Sequence, residues 1–124
     1  MERYLCVLIG GGAGAVLRYM VGSAVASRYS GRFPLGTFLI NVSGSFLIGL
    51  LMGLFTERYA THPNWRLFLV TGVLGGFTTF SSFEYEALVA AQTGAVATGM
   101  VYVVASVGIG FTAAWIGASL IARR

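Results

Sequence analysis

Lysine is missing altogether, histidine and cysteine occur once each, proline twice, and charged residues make up only 10% of the 124-residue chain. Each shortage removes a class of function. Without lysine there is no phosphate-cradling loop of the Gly-rich, Lys-ended kind. The single cysteine, Cys6, cannot form an intrachain disulfide, so no oxidising compartment is implied. Inside the first apolar run it reads as a small packed hydrophobe. His62 has no second His or Cys near it, so no zinc site assembles. No Ser/His/Asp set can be drawn, and an enzyme is not expected. The basic residues are all arginines and give a formal net charge of +4. They are scattered at the ends of apolar segments, which suits membrane anchoring and offers nucleic acid no patch.

What is abundant is apolar. Hydrophobic residues make up 56% of the chain and the mean hydropathy is +0.81. A soluble domain carries about 25% charged residues, and a chain this short cannot hide so much apolar surface from water. Lipid must therefore be part of its solvent. The 18 glycines lie in apolar segments, where they suit close helix packing in a bilayer. The density of apolar and aromatic residues excludes a disordered chain.

A membrane-spanning helix needs about 20 mostly apolar residues. Four stretches qualify, over about 4–26, 35–55, 65–92 and 95–122. They define an all-α membrane protein forming one transmembrane domain. The clearest loop runs from Thr56 to Asn64, and a shorter polar link covers 27–34. Tyr4, Tyr29, Tyr59 and Trp65 sit near segment ends, where amphipathic rings prefer the interface. The first segment is not expected to be a cleaved signal peptide: its apolar stretch is too long and Arg18 interrupts it. Arg3, Arg58, Arg66, Arg123 and Arg124 share one side, against Arg28 and Arg32, joined by Arg18 if it snorkels, on the other. That bias slightly favours termini inside the cell, and insertion both ways stays open.

Several residues break the apolar pattern. Gly10-Gly11-Gly12-Ala13-Gly14-Ala15 mimics a dinucleotide fingerprint, but the next acid after Glu2 is Glu57, far past the required spacing. Gly10 and Gly14 instead share a helix face and allow close approach. Arg18 either snorkels to the interface or serves a vestibule or loop carbonyls. In the second segment Thr37, Asn41 and Ser45 recur every fourth residue, continued by Gly49 and Gly53. Asn41 fits equally a helix–helix hydrogen bond or the polar wall of an ion path.

The third segment is Gly-rich and then hydroxyl-rich from Gly72 to Phe83. That composition allows a break in the helix, which is tolerated at membrane depth only in protein or against a watery cavity. A break frees carbonyls for a cation and amides for an anion. Phe80 and Phe83 share a face, either as core or as ring edges offered to an anion. Glu84 and Glu86 close the segment, at the interface or, if one is buried, as a proton relay or cation site. In the fourth segment Thr98, Tyr102 and Ser106 form a second polar stripe.

Together these motifs resemble the CrcB or Fluc family of fluoride channels over nearly the whole chain. The resemblance rests on Gly10 to Gly14 with Arg18-Tyr19, on Gly36-Thr37 through Asn41, and on Gly75-Gly76-Phe77-Thr78-Thr79-Phe80-Ser81-Ser82-Phe83. It implies an antiparallel, dual-topology homodimer in the bacterial inner or plasma membrane, with a third helix broken mid-span. Two fluoride pathways would flank a central structural Na+ at the dimer interface, held by backbone carbonyls of Gly75 and Thr78. Phe80 and Phe83 would be paired rings along the fluoride path and Asn41 a donor lining it. Thr37, Ser82, Tyr102 and Ser106 would extend the polar track. Arg18 would match the family's first-helix arginine, structural or vestibular. Conduction would be passive, with efflux driven by the membrane potential.

Two other readings remain beside it. A small proton-coupled multidrug exporter is of similar size, but uses an intramembrane Glu where this chain has Arg18. Its working acids here would be Glu84 and Glu86. A non-transporting membrane subunit would not need Asn41 and a hydroxyl-rich break together.

Overall fold

The computed structural model describes residues 1–57 and 63–122, and these are helical with no strand among them. Helix α1 spans Glu2–Ala26 and α2 spans Leu35–Glu57. The third helical run begins with α3 (Pro63–Arg66), widens into a π-helical stretch (Leu67–Leu74) and returns to α geometry in α4 (Gly75–Phe77). It resumes as α5 (Phe80–Gln92), and α6 (Val96–Ala122) completes the fold. Four helical runs, Glu2–Ala26, Leu35–Thr56, Pro63–Gln92 and Val96–Ala122, are long and apolar enough to cross a membrane. The chain is a multi-pass membrane protein.

The stretch read as loop from Thr56 to Asn64 is shorter in the structure, since Thr56 and Glu57 continue α2 and Pro63 opens α3. Proline at a first helical position sacrifices no bond, because the first amides of a helix have no internal acceptor. Residues 58–62 lie outside the described residues, among them Arg58, Tyr59 and His62, as do Arg123 and Arg124.

The distribution of side chains is that of a protein solvated by lipid. Leu8, Val104, Phe111 and Trp115 are each more than two-thirds exposed. The buried apolar residues among those described are only Ile40, Leu74, Phe83, Ala90 and Tyr102. In hydrocarbon, large apolar side chains gain little from burial, so helices associate through close backbone approach instead. Glycine supplies that approach at two seams. Gly10 and Gly14 of α1 lie against the π stretch and α4: a Cβ on Gly10 would stand 3.0 Å from Gly72 Cα, and one on Gly14 would overlap the Val73 carbonyl. Gly49 of α2 faces the Ala114 carbonyl, and Gly117 of α6 faces that of Phe46.

A tight reversal joins α5 to α6. Gly94 adopts a left-handed φ of 81°. The Gly94 N–H donates to the Ala91 carbonyl at 3.3 Å and the Ala95 N–H to that of Ala90 at 2.8 Å. This paired capping closes one helix and turns the chain directly into the next.

The seams make a prediction. Gly14→Ala and Gly117→Ala each push a methyl into a neighbouring backbone, an overpacking that costs about 1–3 kcal/mol. Both should lower the midpoint of thermal unfolding in detergent. Gly108→Ala, whose added methyl meets open space, should leave the midpoint unchanged or raise it.

Candidate functional site

The third run loses its helix at two residues. Thr78 is extended at φ −79°, ψ 158°, and Thr79 is extended at φ −150°, ψ 123°. Extended backbone forfeits the helical ladder, and its polar groups need partners away from water. Asn41 of α2 provides both for Thr79. Its Nδ2 donates to the Thr79 carbonyl at 2.9 Å, and its Oδ1 accepts the Thr79 N–H at 2.9 Å. The amide dipole thus substitutes for a missing stretch of helix or strand. Gly44, one turn further on, is what lets α2 come this close, since a side chain there would strike the Thr78 methyl.

Thr79 also starts the next helix. Its Oγ1 accepts the Ser82 N–H at 3.3 Å and donates to Ser82 Oγ at 3.0 Å, the ordinary work of an N-cap. Thr78 turns back instead: its N–H and Oγ1 both donate to the Leu74 carbonyl, at 3.0 and 2.9 Å. Two carbonyls consequently lose their usual helical donors. The amide four residues after Gly75 is that of Thr79, which Asn41 takes. The amide four residues after Thr78 is that of Ser82, which Thr79 Oγ1 takes.

A cleft of about 380 Å³ opens beside the interruption. Six of the residues given a site role from the sequence line it together: Asn41, Gly75, Thr78, Phe80, Phe83 and Ser106. Ser45, Thr79 and the apolar Ile48, Val70, Leu74 and Val107 complete much of the wall. Ser106 Oγ is buried with no hydrogen-bond partner among the described residues. An unsatisfied buried hydroxyl is uncommon and marks a place where a further ligand can be met. The two rings differ, Phe80 being 70% exposed and Phe83 only 7%. Their centroids lie 5.7 Å apart with planes at 46°.

Behind Phe83 stands a second polar cluster. Thr37 Oγ1 of α2 donates to Glu86 Oε1 at 2.7 Å. The Tyr102 hydroxyl of α6 donates to Glu86 Oε2, also at 2.7 Å. Tyr102 is completely buried, and its ring meets Phe83 edge-on at 5.1 Å. Thr37 and Tyr102 therefore belong to this cluster and not to the lining of the cleft. Ser82 is exposed and engaged in the α5 cap. Arg18 is half-buried on α1, makes no hydrogen bond to the described residues, and does not line the cleft.

One participant was not foreseen, and another was named without its partners. Thr79 appeared in the motif without a role, although a threonine placed just before Phe-Ser-Ser-Phe is a standard helix start. Glu86, left open in the sequence between an interfacial and a buried acid, is half-buried as the hub between α2 and α6. Its spacing of three from Phe83 puts it on the same helix face, which was the available signal. No group of three or more His, Cys, Asp or Glu residues able to hold a metal ion occurs among the described residues.

The fold and site define a class: a small, multi-pass helical membrane protein with an interrupted run beside a cleft of neutral polar groups and aromatic rings. The comparisons are more specific. The family profile described as "CrcB-like protein, Camphor Resistance (CrcB)" matches residues 5–118, and the chain belongs to that family. A fluoride-specific ion channel FluC of Solibacter usitatus is 52% identical over 122 residues, covering 98% of this chain and 99% of the relative. One from Acidobacterium capsulatum is 47% identical over 115 residues, covering 93% and 92%. One from Thermus thermophilus is 46% identical over 117 residues, covering 94% and 93%.

The Asn41 clamp is open to direct test. Asn41→Ala leaves the Thr79 N–H and carbonyl without their partner, and an unsatisfied buried group costs about 1–3 kcal/mol. Amide hydrogen exchange over the peptide containing Thr79 should accelerate by about five- to 140-fold, taking about 1.4 kcal/mol as ten-fold in an equilibrium. Exchange in the middle of α6 should change little.

Proposed function

We propose that this chain is a fluoride-selective ion channel of a bacterial plasma membrane, passing F− passively and so lowering cytoplasmic fluoride. The reading is carried by the near full-length match to relatives named as fluoride-specific channels. The site supports it chemically. Fluoride is small and strongly hydrated, so a path must supply replacement donors. The cleft offers the unpartnered Ser106 hydroxyl and the second Nδ2 hydrogen of Asn41. Phe80 and Phe83 add ring edges, which carry the positive end of the aromatic quadrupole. Beyond Phe83, Thr37 and Tyr102 hold out hydroxyls that now satisfy Glu86, so an arriving anion competes with a carboxylate for them. A narrow lining of this kind rejects larger anions by size and donor geometry. A membrane potential negative inside drives the anion outward, at about 2.3 kcal/mol per elementary charge per 100 mV.

The assembly that fits this reading is an antiparallel, dual-topology homodimer with two pathways. Thr78 and Thr79 then lie at mid-membrane depth, where the cleft keeps non-helical backbone away from lipid. The Gly75 and Thr78 carbonyls, with their helical donors diverted to Asn41 and Thr79, suit a hard monovalent cation such as Na+. Their oxygens would hold it, and the ion would supply positive charge and cross-brace the interrupted helices. Arg18 is left with a structural or vestibular part. The proton-coupled exporter is set aside, because the family to which the chain belongs is a different one.

The test is fluoride release from liposomes holding the purified protein, loaded with potassium fluoride and triggered with valinomycin. Rapid release of fluoride, with chloride-loaded vesicles silent, is expected. Phe80→Ile should slow release strongly, since it removes the ring and keeps apolar bulk. Silence from well-folded protein would end the fluoride reading. Protein purified and reconstituted without sodium should lose flux and regain it when sodium is restored; full flux throughout would dispose of the sodium site.

A further inference from the structure

One aromatic residue close to this site lies in a loop and belongs to none of the stripes described so far. Phe33 sits in the link between α1 and α2, half-buried. Its ring meets Phe38 at 5.3 Å with planes at 74°, and Tyr102 at 5.3 Å with planes at 81°. Its carbonyl accepts the Leu35 N–H at 2.7 Å, so the backbone that carries the ring is tied to the start of α2. Phe33, Tyr102, Phe83 and Phe80 then form an unbroken chain of ring contacts, from the loop to the cleft. Phe33 also borders a cavity of about 260 Å³ that reaches Thr37 and Glu86.

We infer that Phe33 is a positioning residue for conduction, a loop-borne wedge that fixes the orientation of Tyr102. This rests on the fluoride-channel reading. The ring of Tyr102 has an aromatic neighbour on each of two sides, Phe33 and Phe83, both meeting it edge to face. Edge-to-face contacts constrain ring orientation, not distance alone. The direction of the ring sets where the hydroxyl goes, and the hydroxyl is 2.7 Å from Glu86 Oε2. Replace the Phe33 ring by an aliphatic side chain and Tyr102 keeps apolar cover but loses one of its two orienting aromatic neighbours. Its hydroxyl then leaves the line shared with Thr37, and the donor set beyond Phe83 loosens. No atom of Phe33 need touch the ion for this to slow its passage.

The test compares Phe33→Leu with Phe33→Trp in the full chain, reconstituted as for the wild type. Leucine keeps apolar bulk and removes the ring edge; tryptophan keeps the ring. Phe33→Leu should reduce the initial fluoride efflux rate about two- to ten-fold, the range of an aromatic pair contact. Phe33→Trp should keep most of the rate. Phe33→Met takes the place of Phe33→Leu if the latter does not elute as a single species. Wild-type rates in Phe33→Leu overturn the inference while leaving the channel reading intact. So do equal losses in the leucine and tryptophan variants, which would make Phe33 a filler of space only. A silent wild type would instead remove the channel reading itself, and the inference with it.

Discussion

Everything near the cleft depends on one requirement: backbone that leaves the helix within an apolar run must find hydrogen-bond partners other than its own helix. Thr78 and Thr79 are such backbone, and Asn41 meets the need of Thr79 with one side chain that both donates and accepts. An aspartate there could accept but not donate, and a serine would be too short to do both. The clamp decides more than local stability. By taking the Thr79 amide it strips Gly75 of its helical donor, and by holding Thr79 extended it frees the threonine hydroxyl to cap α5. Carbonyls without their helical donors and the start of a new helix are therefore consequences of a single contact between α2 and the third run.

The glycines stand upstream of that contact. Asn41 reaches Thr79 because Gly44 lets α2 approach Thr78, and Gly49 and Gly117 let α2 and α6 pack as closely on each other. In water such interfaces would waste the hydrophobic effect. In lipid they cost little, since outward-facing Leu8, Val104 and Phe111 are already in a favourable solvent. The inversion explains a core that is small and aromatic, with the bulk of the chain's apolar surface outside.

Much of this was legible in the residues and part was not. Hydropathy and length marked the four apolar runs, and the four-residue spacing of Gly10 and Gly14 marked a close-packed face. Periodicity says which residues share a face, not what that face meets. Asn41 was left open between a helix–helix bond and a pathway wall for this reason; it lines the cleft and also bonds to backbone of the next helical run. Glu86 was harder. A carboxylate near the end of an apolar run reads as interfacial by default, and only the meeting of Thr37 and Tyr102, separated by 65 positions in the chain, turns it inward. Phe33 carried no signal at all, because loop aromatics beside a proline are ordinary at a membrane surface.

On the proposed reading, in which the cleft belongs to the fluoride path, its chemistry bears on conduction. None of the described residues lining it carries a positive charge; the donors are hydroxyls and an amide, helped by ring edges. A guanidinium or ammonium would bind an anion through a charge-assisted bond, roughly twice as strong as a neutral one. Such a site captures well and releases slowly, which defeats a channel, where entry and exit must both be easy. Neutral donors accept the loss of capture strength in return for speed. On that reading any attraction at long range comes from charge set back from the cleft, and Arg18 on α1, half-buried and free of hydrogen bonds to the described residues, does not line it.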